Sequence, residues 1–204
     1  GRRATDRLTL SAIEAGPAGP EIGAIFDFDG TLLAGYSILA FLTDRVRRRD
    51  IGLAEVGRTA KSLLEALAGD LDNRELLERG LAEWRGRELA EMNALGERLF
   101  AEALEGDVFP EMRARIAAHR RMGHTLVIAS SATAFQVEPA ARHLGIETVL
   151  CTRLEVADGR LTGRVEGGRL LWGPAKARAV QDHAARHGID LARSYFYADG
   201  DEDE

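Results

Sequence analysis

The stretch "AIFDFDGTLLAG", residues 24–35, ends an apolar run with two aspartates one residue apart and follows them at once with Gly-Thr. Side chains on an extended strand alternate faces, so Asp27 and Asp29 share one crevice while Phe28 packs the other way. Two adjacent carboxylates repel. A hard cation such as Mg2+, which takes one or two carboxylates together with phosphate oxygens, removes that cost. The pair therefore points to a metal-assisted phosphoryl site. A strand end with a polar turn is the plain alternative.

Three later segments carry matching chemistry. "LVIASSAT" is a strand that ends on Ser130, a hydroxyl able to hold a phosphoryl oxygen, with Ser131 as second choice. Ser130 also suits the cap of the helix that "TAFQVEPAA" predicts. "WGPAK" brings Lys176, and "YFYADGDED" brings Asp199 and Asp203. Asp199, Asp201 and Asp203 also fit the first, third and fifth places of an EF-hand loop. That loop needs Gly where Glu204 stands, and a preceding helix where "SYFYA" has strand character. His119 and His124 lack a partner spacing for metal. The run "RVRRR", Arg45 to Arg49, is expected on a solvated face.

The elements that position these residues follow from the hydrophobic period. "EIGAIFDFDG" is a short strand, and residues 36–105 then carry helical spacing, as in "YSILAFLTDRVRRR", "LAEVGRTAKSLLEALAG" and "RELAEMNALGERLFAEALEG". "FPEMRARIAAHRRMG" predicts a helix with Pro110 near its start and Gly123 past its end. "HTLVIASS" is a strand, "TAFQVEPAARHLG" a helix, and "ETVLCTRLEV" and "RLTGRV" are strands joined at Asp158-Gly159 as a hairpin. "GPAKARAVQDHAARHG" and "SYFYAD" add a helix and a strand. Strands alternating with helices imply an α/β fold, a parallel sheet covered on both faces, interrupted by an inserted helical block. Ligands of such sheets bind beyond the carboxyl ends of the strands, where the acids, the serine and the lysine fall.

Taken in order, these segments resemble the haloacid dehalogenase superfamily over roughly residues 22–204. "DFDGT" matches its first motif, "LVIASSAT" its second, the lysine of "WGPAK" its third, and the Asp-x-x-x-Asp of "YFYADGDED" its fourth, with Ala198 and Gly200 flanking Asp199 where phosphatases carry Gly-Asp-Ser. The resemblance implies a Rossmann-like core at 22–35 and 108–204 and a helical cap of C1 type at 36–107. It makes Asp27 the nucleophile that becomes an aspartyl-phosphate, and Asp29 the acid and base. Ser130, Thr31, Gly30 and Lys176 then hold the phosphoryl group, and Mg2+ falls among Asp27, Asp29, Asp199 and Asp203. The chain looks most like the phosphoserine-phosphatase-like branch, subfamily IB. Through "RLFAEAL", "LWGPAKARAVQ" and "SYFYADGDED" it is similar to the phosphatase-like part of proteins that also carry a 1-acylglycerol-3-phosphate acyltransferase. The resemblance thus implies a small phosphorylated metabolite as substrate. Its alternatives are transfer to an alcohol, or an idle module beside an acyltransferase.

Composition narrows the setting. With 204 residues, 45% of them hydrophobic and 29% charged, the chain can bury a sizeable core. A net charge of -6 argues against a general nucleic-acid binder. The single cysteine, Cys151, excludes an internal disulfide and is expected as a small buried hydrophobe, with the cytoplasm as the simplest compartment. Residues 1–21 are expected as a flexible tail. Relatives continue past the fourth motif into another strand, so the sequence is expected to continue beyond Glu204, with membrane association arising only through such a downstream domain.

Overall fold

The computed structural model describes residues 9–48 and 80–198. Its elements are α1 (Leu10–Glu14), β1 (Gly23–Phe26), α2 (Ser37–Arg47), α3 (Leu89–Leu99), α4 (Pro110–Arg121), β2 (Thr125–Thr133), α5 (Ala134–Leu144), β3 (Thr148–Thr152), β4 (Leu154–Ala157), β5 (Arg160–Val165), α6 (Pro174–His187) and β6 (Tyr195–Tyr197). The expected segment "LAEVGRTAKSLLEALAG" and the acids Asp199 and Asp203 lie outside the described residues.

Among the described residues four strands form one parallel sheet in the order β3-β2-β1-β6. In the register, Phe26 stands beside Ile128 on one side and Tyr197 on the other. All four residues of β1 are buried, as the unbroken run "GAIF" requires of a strand covered on both faces. On one face Ala24, Phe26 and Ile128 meet Met112 and Ile116 of α4 and Val137, Ala140 and Ala141 of α5. On the other, Ile25, Val127 and Ala129 meet Val180 of α6. Each such burial contributes roughly 1.5–3 kcal/mol, so packing holds the strand ends in register.

A second apolar cluster joins Phe41 of α2, Leu81, Trp84, Met92 and Leu99 to Phe135, Leu154, Leu161 and Leu170. The rings of Phe41, Trp84 and Phe135 lie 5.2–5.8 Å apart. Phe135, in the first turn of α5, ties this cluster to the sheet. Its carbonyl is the one a residue four places on would bond, and that residue is Pro139, which has no N–H. Gly96 of α3 comes against it, so closely that a Cβ on Gly96 would stand 1.9 Å from Phe135 O.

Four expectations change. Residues 9–21 are not a tail: Ile13 and Ile22 are fully buried, α1 packs on α4, and Thr125 Oγ1 donates to Pro20 O at 2.7 Å. The apolar spacing of Ile13 and Ile22 was diluted by the Gly and Pro between them. "ETVLCTRLEV" splits at Arg153, with β3 in the main sheet and β4 in a hairpin with β5. The helix of "RELAEMNALGERLFAEALEG" ends at Leu99 and continues as a π-turn, Phe100–Leu104, and a 3-10 turn, Glu105–Asp107. That rewinding keeps Phe100 and Leu104 in the main core while the chain returns to pair Val108 with Leu33. Arg45 is not solvated: it is 9% exposed, 3.4 Å from Glu83 and over the Trp84 ring. The hairpin turn matches its expectation, with Asp158 and Gly159 both at positive φ.

Candidate active site

Asp27 follows the last residue of β1, and its N–H donates to Tyr197 O at 2.8 Å, which prolongs the pairing with β6. Its Oδ1 accepts the N–H of Phe28 at 2.8 Å and stands 3.6 Å from Lys176 Nζ. Phe28 is fully buried in the main core while both flanking acids keep some exposure. The chain then turns tightly. Gly30, at φ +75°, gives its N–H to Gly35 O at 3.0 Å, a left-handed conformation that favours glycine. Thr31 is 3% exposed, and its Oγ1 is buried with no hydrogen-bond partner among the described residues. A buried hydroxyl in that state costs free energy until something pairs with it, which suits a phosphoryl oxygen.

Asp29 is held differently. Ser37 N–H donates to its Oδ1 at 2.6 Å and Ser37 Oγ to its Oδ2 at 3.2 Å. Tyr36, the residue before α2, makes no side-chain cap, and the carboxylate of Asp29 meets the helix N-terminus instead.

Ser130 lies where β2 leaves register. Ala129 pairs with Leu150, yet the next partners are Thr133 and Thr152, so the residues between bulge from the sheet. Ser130 is 1% exposed, and its Oγ accepts the N–H of Ala132 at 3.1 Å. It does not cap α5; Thr133 does, within a capping box closed by Gln136. Ser131 spends its carbonyl on Thr152 Oγ1 at 2.8 Å. Lys176 belongs to the first turn of α6, behind Gly173 and Pro174, which aims its amine toward the end of β1.

The structure thus joins Asp27 to Lys176 by a direct contact and sets Ser130 at the same carboxyl end of the sheet as Asp27 and Asp29. Among the described residues no three His, Cys, Asp or Glu side chains group as a metal site. The donors assigned to Mg2+, Asp27 and Asp29 with Asp199 and Asp203, are all hard oxygens, the set that ion takes. The EF-hand alternative loses its helix, since Tyr195–Tyr197 is strand.

The sequence reading missed two groups. Ser37, Gln136 and Thr133 form a buried set around Asp29, and the Thr-x-x-Gln of "TAFQ" was a legible capping signal for two of them. Behind the site, His119 Nδ1 meets His124 Nδ1 at 2.7 Å, His119 Nε2 meets Tyr197 Oη at 2.8 Å, and His124 Nε2 meets Pro17 O at 2.8 Å. Pro17 O only accepts, so His124 Nε2 carries hydrogen. In the neutral chain His124 Nδ1 then accepts from His119 Nδ1–H, and His119 Nε2 accepts from Tyr197 O–H. Burial, then the His124 and Arg115 charges, pull the His119 pKa down to about 4, and burial first of all pushes Tyr197 up to about 12. Tyr197 stacks on Phe26 with ring centroids 4.8 Å apart, so this chain buttresses the strand that presents Asp27. Cys151 is buried, with its thiol raised to about 11 by burial, as a small hydrophobe should be.

Residues 24–203 match the family described as haloacid dehalogenase-like hydrolase. The chain belongs to that family. It is 34% identical over 184 residues to the inhibition of morphological differentiation protein of Streptomyces azureus, covering 88% of this chain and 66% of that one. It is 30% identical over 179 residues to phosphoserine phosphatase SerB2 of Mycobacterium tuberculosis, covering 88% of this chain and 40% of that one. It therefore spans less than two thirds of the length of these relatives. Among solved structures, a protein of unknown function from Bordetella pertussis superposes with a TM-score of 0.77 at 23% identity, covering 87% of this chain and 81% of that one. The expected α/β fold of this family, with its covered parallel sheet, is the fold found. No described helix is long and apolar enough to cross a membrane.

Proposed function

We propose that the chain is a phosphoric monoester hydrolase that works through an aspartyl-phosphate on a small organic phosphate. The observation that carries this reading is the ion pair of Asp27 and Lys176 at the carboxyl end of the central strand, with Asp29 two residues away. Family membership and a phosphoserine phosphatase relative support it.

Asp27 attacks phosphorus as the bond from phosphorus to the ester oxygen breaks, and Asp29 gives its proton to that oxygen, so an alcohol leaves. Water then attacks the phosphorus held on Asp27, Asp29 takes the water's proton, and phosphate leaves with Asp27 restored. Lys176 offsets the charge between nucleophile and phosphoryl oxygens, while Ser130, Thr31 and the amides near Gly30 hold those oxygens. Asp27, Asp29, Asp199 and Asp203 would hold Mg2+, which supplies further charge neutralisation at the phosphoryl group.

The test is phosphate release from a panel of phosphorylated metabolites, with Mg2+ and with chelator. Release from one or a few compounds, dependent on Mg2+, is expected. A folded protein that releases none would favour the idle module.

A further inference from the structure

We infer that Ser37 and Gln136 are positioning residues that set the orientation of the Asp29 carboxyl for proton delivery to the leaving group. The inference rests on the hydrolase reading above and adds two residues to it.

The hydrogen-bond directions leave one consistent arrangement. The backbone N–H of Thr133 can only donate, and it reaches Gln136 Oε1 at 2.9 Å, with Thr133 Oγ1 on the same oxygen at 2.6 Å. Gln136 Oε1 is therefore the acceptor and its amide nitrogen the donor. That nitrogen donates to Ser37 Oγ at 3.1 Å. With a donor already on its oxygen, the Ser37 hydroxyl turns its hydrogen to Asp29 Oδ2 at 3.2 Å, while Ser37 N–H fixes Oδ1 at 2.6 Å. Thr133 is 3% exposed, Gln136 5% and Ser37 not at all, so water does not compete for these bonds.

The carboxyl plane of Asp29 is thus held at both oxygens by Ser37, and Ser37 is oriented from α5, a helix packed into the main core. A swinging carboxyl would spend much of its time away from the leaving oxygen. Holding it removes that loss at the step in which the leaving oxygen takes its proton.

The experiment compares two monoesters, O-phosphoserine, whose alkoxide needs a proton to leave, and nitrophenyl phosphate, whose phenolate does not. In Ser37→Ala, the single-turnover rate of serine release from phosphoserine should fall by roughly tenfold or more, while single-turnover release of nitrophenolate is nearly unaffected. These rates precede hydrolysis of the aspartyl-phosphate, which both esters share and in which Asp29 acts as base. Gln136→Glu, which loses the amide donor at almost equal size, should show the same selective loss, and Ser37→Thr should keep the wild-type ratio. Urea midpoints of all variants report whether the fold is intact, and Gln136→Glu carries the test should Ser37→Ala not fold. Equal losses on both esters, or an unchanged ratio in Ser37→Ala and Gln136→Glu, overturn the inference. Asp29→Asn separates the two levels. If it collapses the ratio while the Ser37 and Gln136 variants do not, only this inference falls. If it leaves the ratio unchanged, the acid role falls and the inference with it.

Discussion

Lys176 Nζ stands 3.6 Å from Asp27 Oδ1, with 14% of the lysine side chain and 16% of the aspartate side chain exposed. A cation so placed sits where negative charge gathers as the carboxylate closes on a phosphoryl group. Lys176→Met should therefore lower kcat/KM by about 10²–10³-fold. Steady-state rates with phosphoserine and nitrophenyl phosphate check this, and a loss below about threefold on both would show that the lysine serves packing alone.

Asp27→Asn should abolish turnover and leave the fold intact, because the change is nearly isosteric and its amide oxygen can still accept the N–H of Phe28. Phosphate release together with a urea midpoint checks it. Turnover near the wild-type rate in a folded Asp27→Asn protein would remove Asp27 from the role of nucleophile.

Chelation should stop phosphate release, Mg2+ should restore it, and Ca2+ should fail to substitute. Mg2+ takes a compact octahedral shell, which in the proposed mechanism would keep the Asp27 carboxylate in line, whereas Ca2+ accepts larger and looser shells. Full activity in excess chelator would take the metal out of the mechanism.

Gly96→Ala should destabilise the protein, because the new Cβ would meet the backbone oxygen of Phe135 at 1.9 Å. Such overpacking costs about 1–3 kcal/mol, more than the ~1 kcal/mol that alanine adds to a helix over glycine. Gly106→Ala, with nothing near its Cβ and no positive φ, should stay within about 0.5 kcal/mol of wild type. Denaturant unfolding of the two variants side by side decides it.

Stability should fall as the pH drops below the ordinary histidine value of 6.5, because His119 is held neutral in the fold with its pKa near 4. Between those values the unfolded chain binds a proton that the native state refuses, so acid favours unfolding; below about 4 both states are protonated and this contribution levels off. Proton NMR of the His119 ring at about pH 5 should show a neutral imidazole in the native protein. A ring that titrates near 6.5 would refute the neutral chain through His124 and Tyr197.

The sheet was legible because its strands are short apolar runs that stop at chemistry-bearing residues: "GAIF" before Asp27, "VIA" before Ser130. Lys176 was legible only by its place in an ordered set of motifs, since a lone lysine in a first helical turn has no distinguishing pattern. Ser37 and Gln136 were not found, because what marks them is a contact across 99 positions of chain. The docking of residues 9–21 through Ile13 was hidden for a related reason. Ile13 stands alone in a five-residue helix, too short to show a period, and only the surface of α4 gives it a place. The π-turn after Leu99 was invisible because its cause, the pairing of Leu33 with Val108, lies outside the segment that rewinds.

The central strand β1 leaves a mark on how this molecule comes into being. Its neighbours are β2, from the middle of the chain, and β6, whose preceding Ser194 accepts the N–H of Gly23 across 171 positions. As the polypeptide emerges during synthesis, the strand that presents Asp27 waits with both edges bare until β2 is made, and with its β6 edge bare through nearly every other described element. Local helices such as α4 and α5 can form meanwhile, but closing so long a loop comes late and slowly. An apolar strand exposed for that interval invites pairing with other chains. Asp27 thus precedes by 168 positions the start of the strand that completes its pairing, and its place is assembled late.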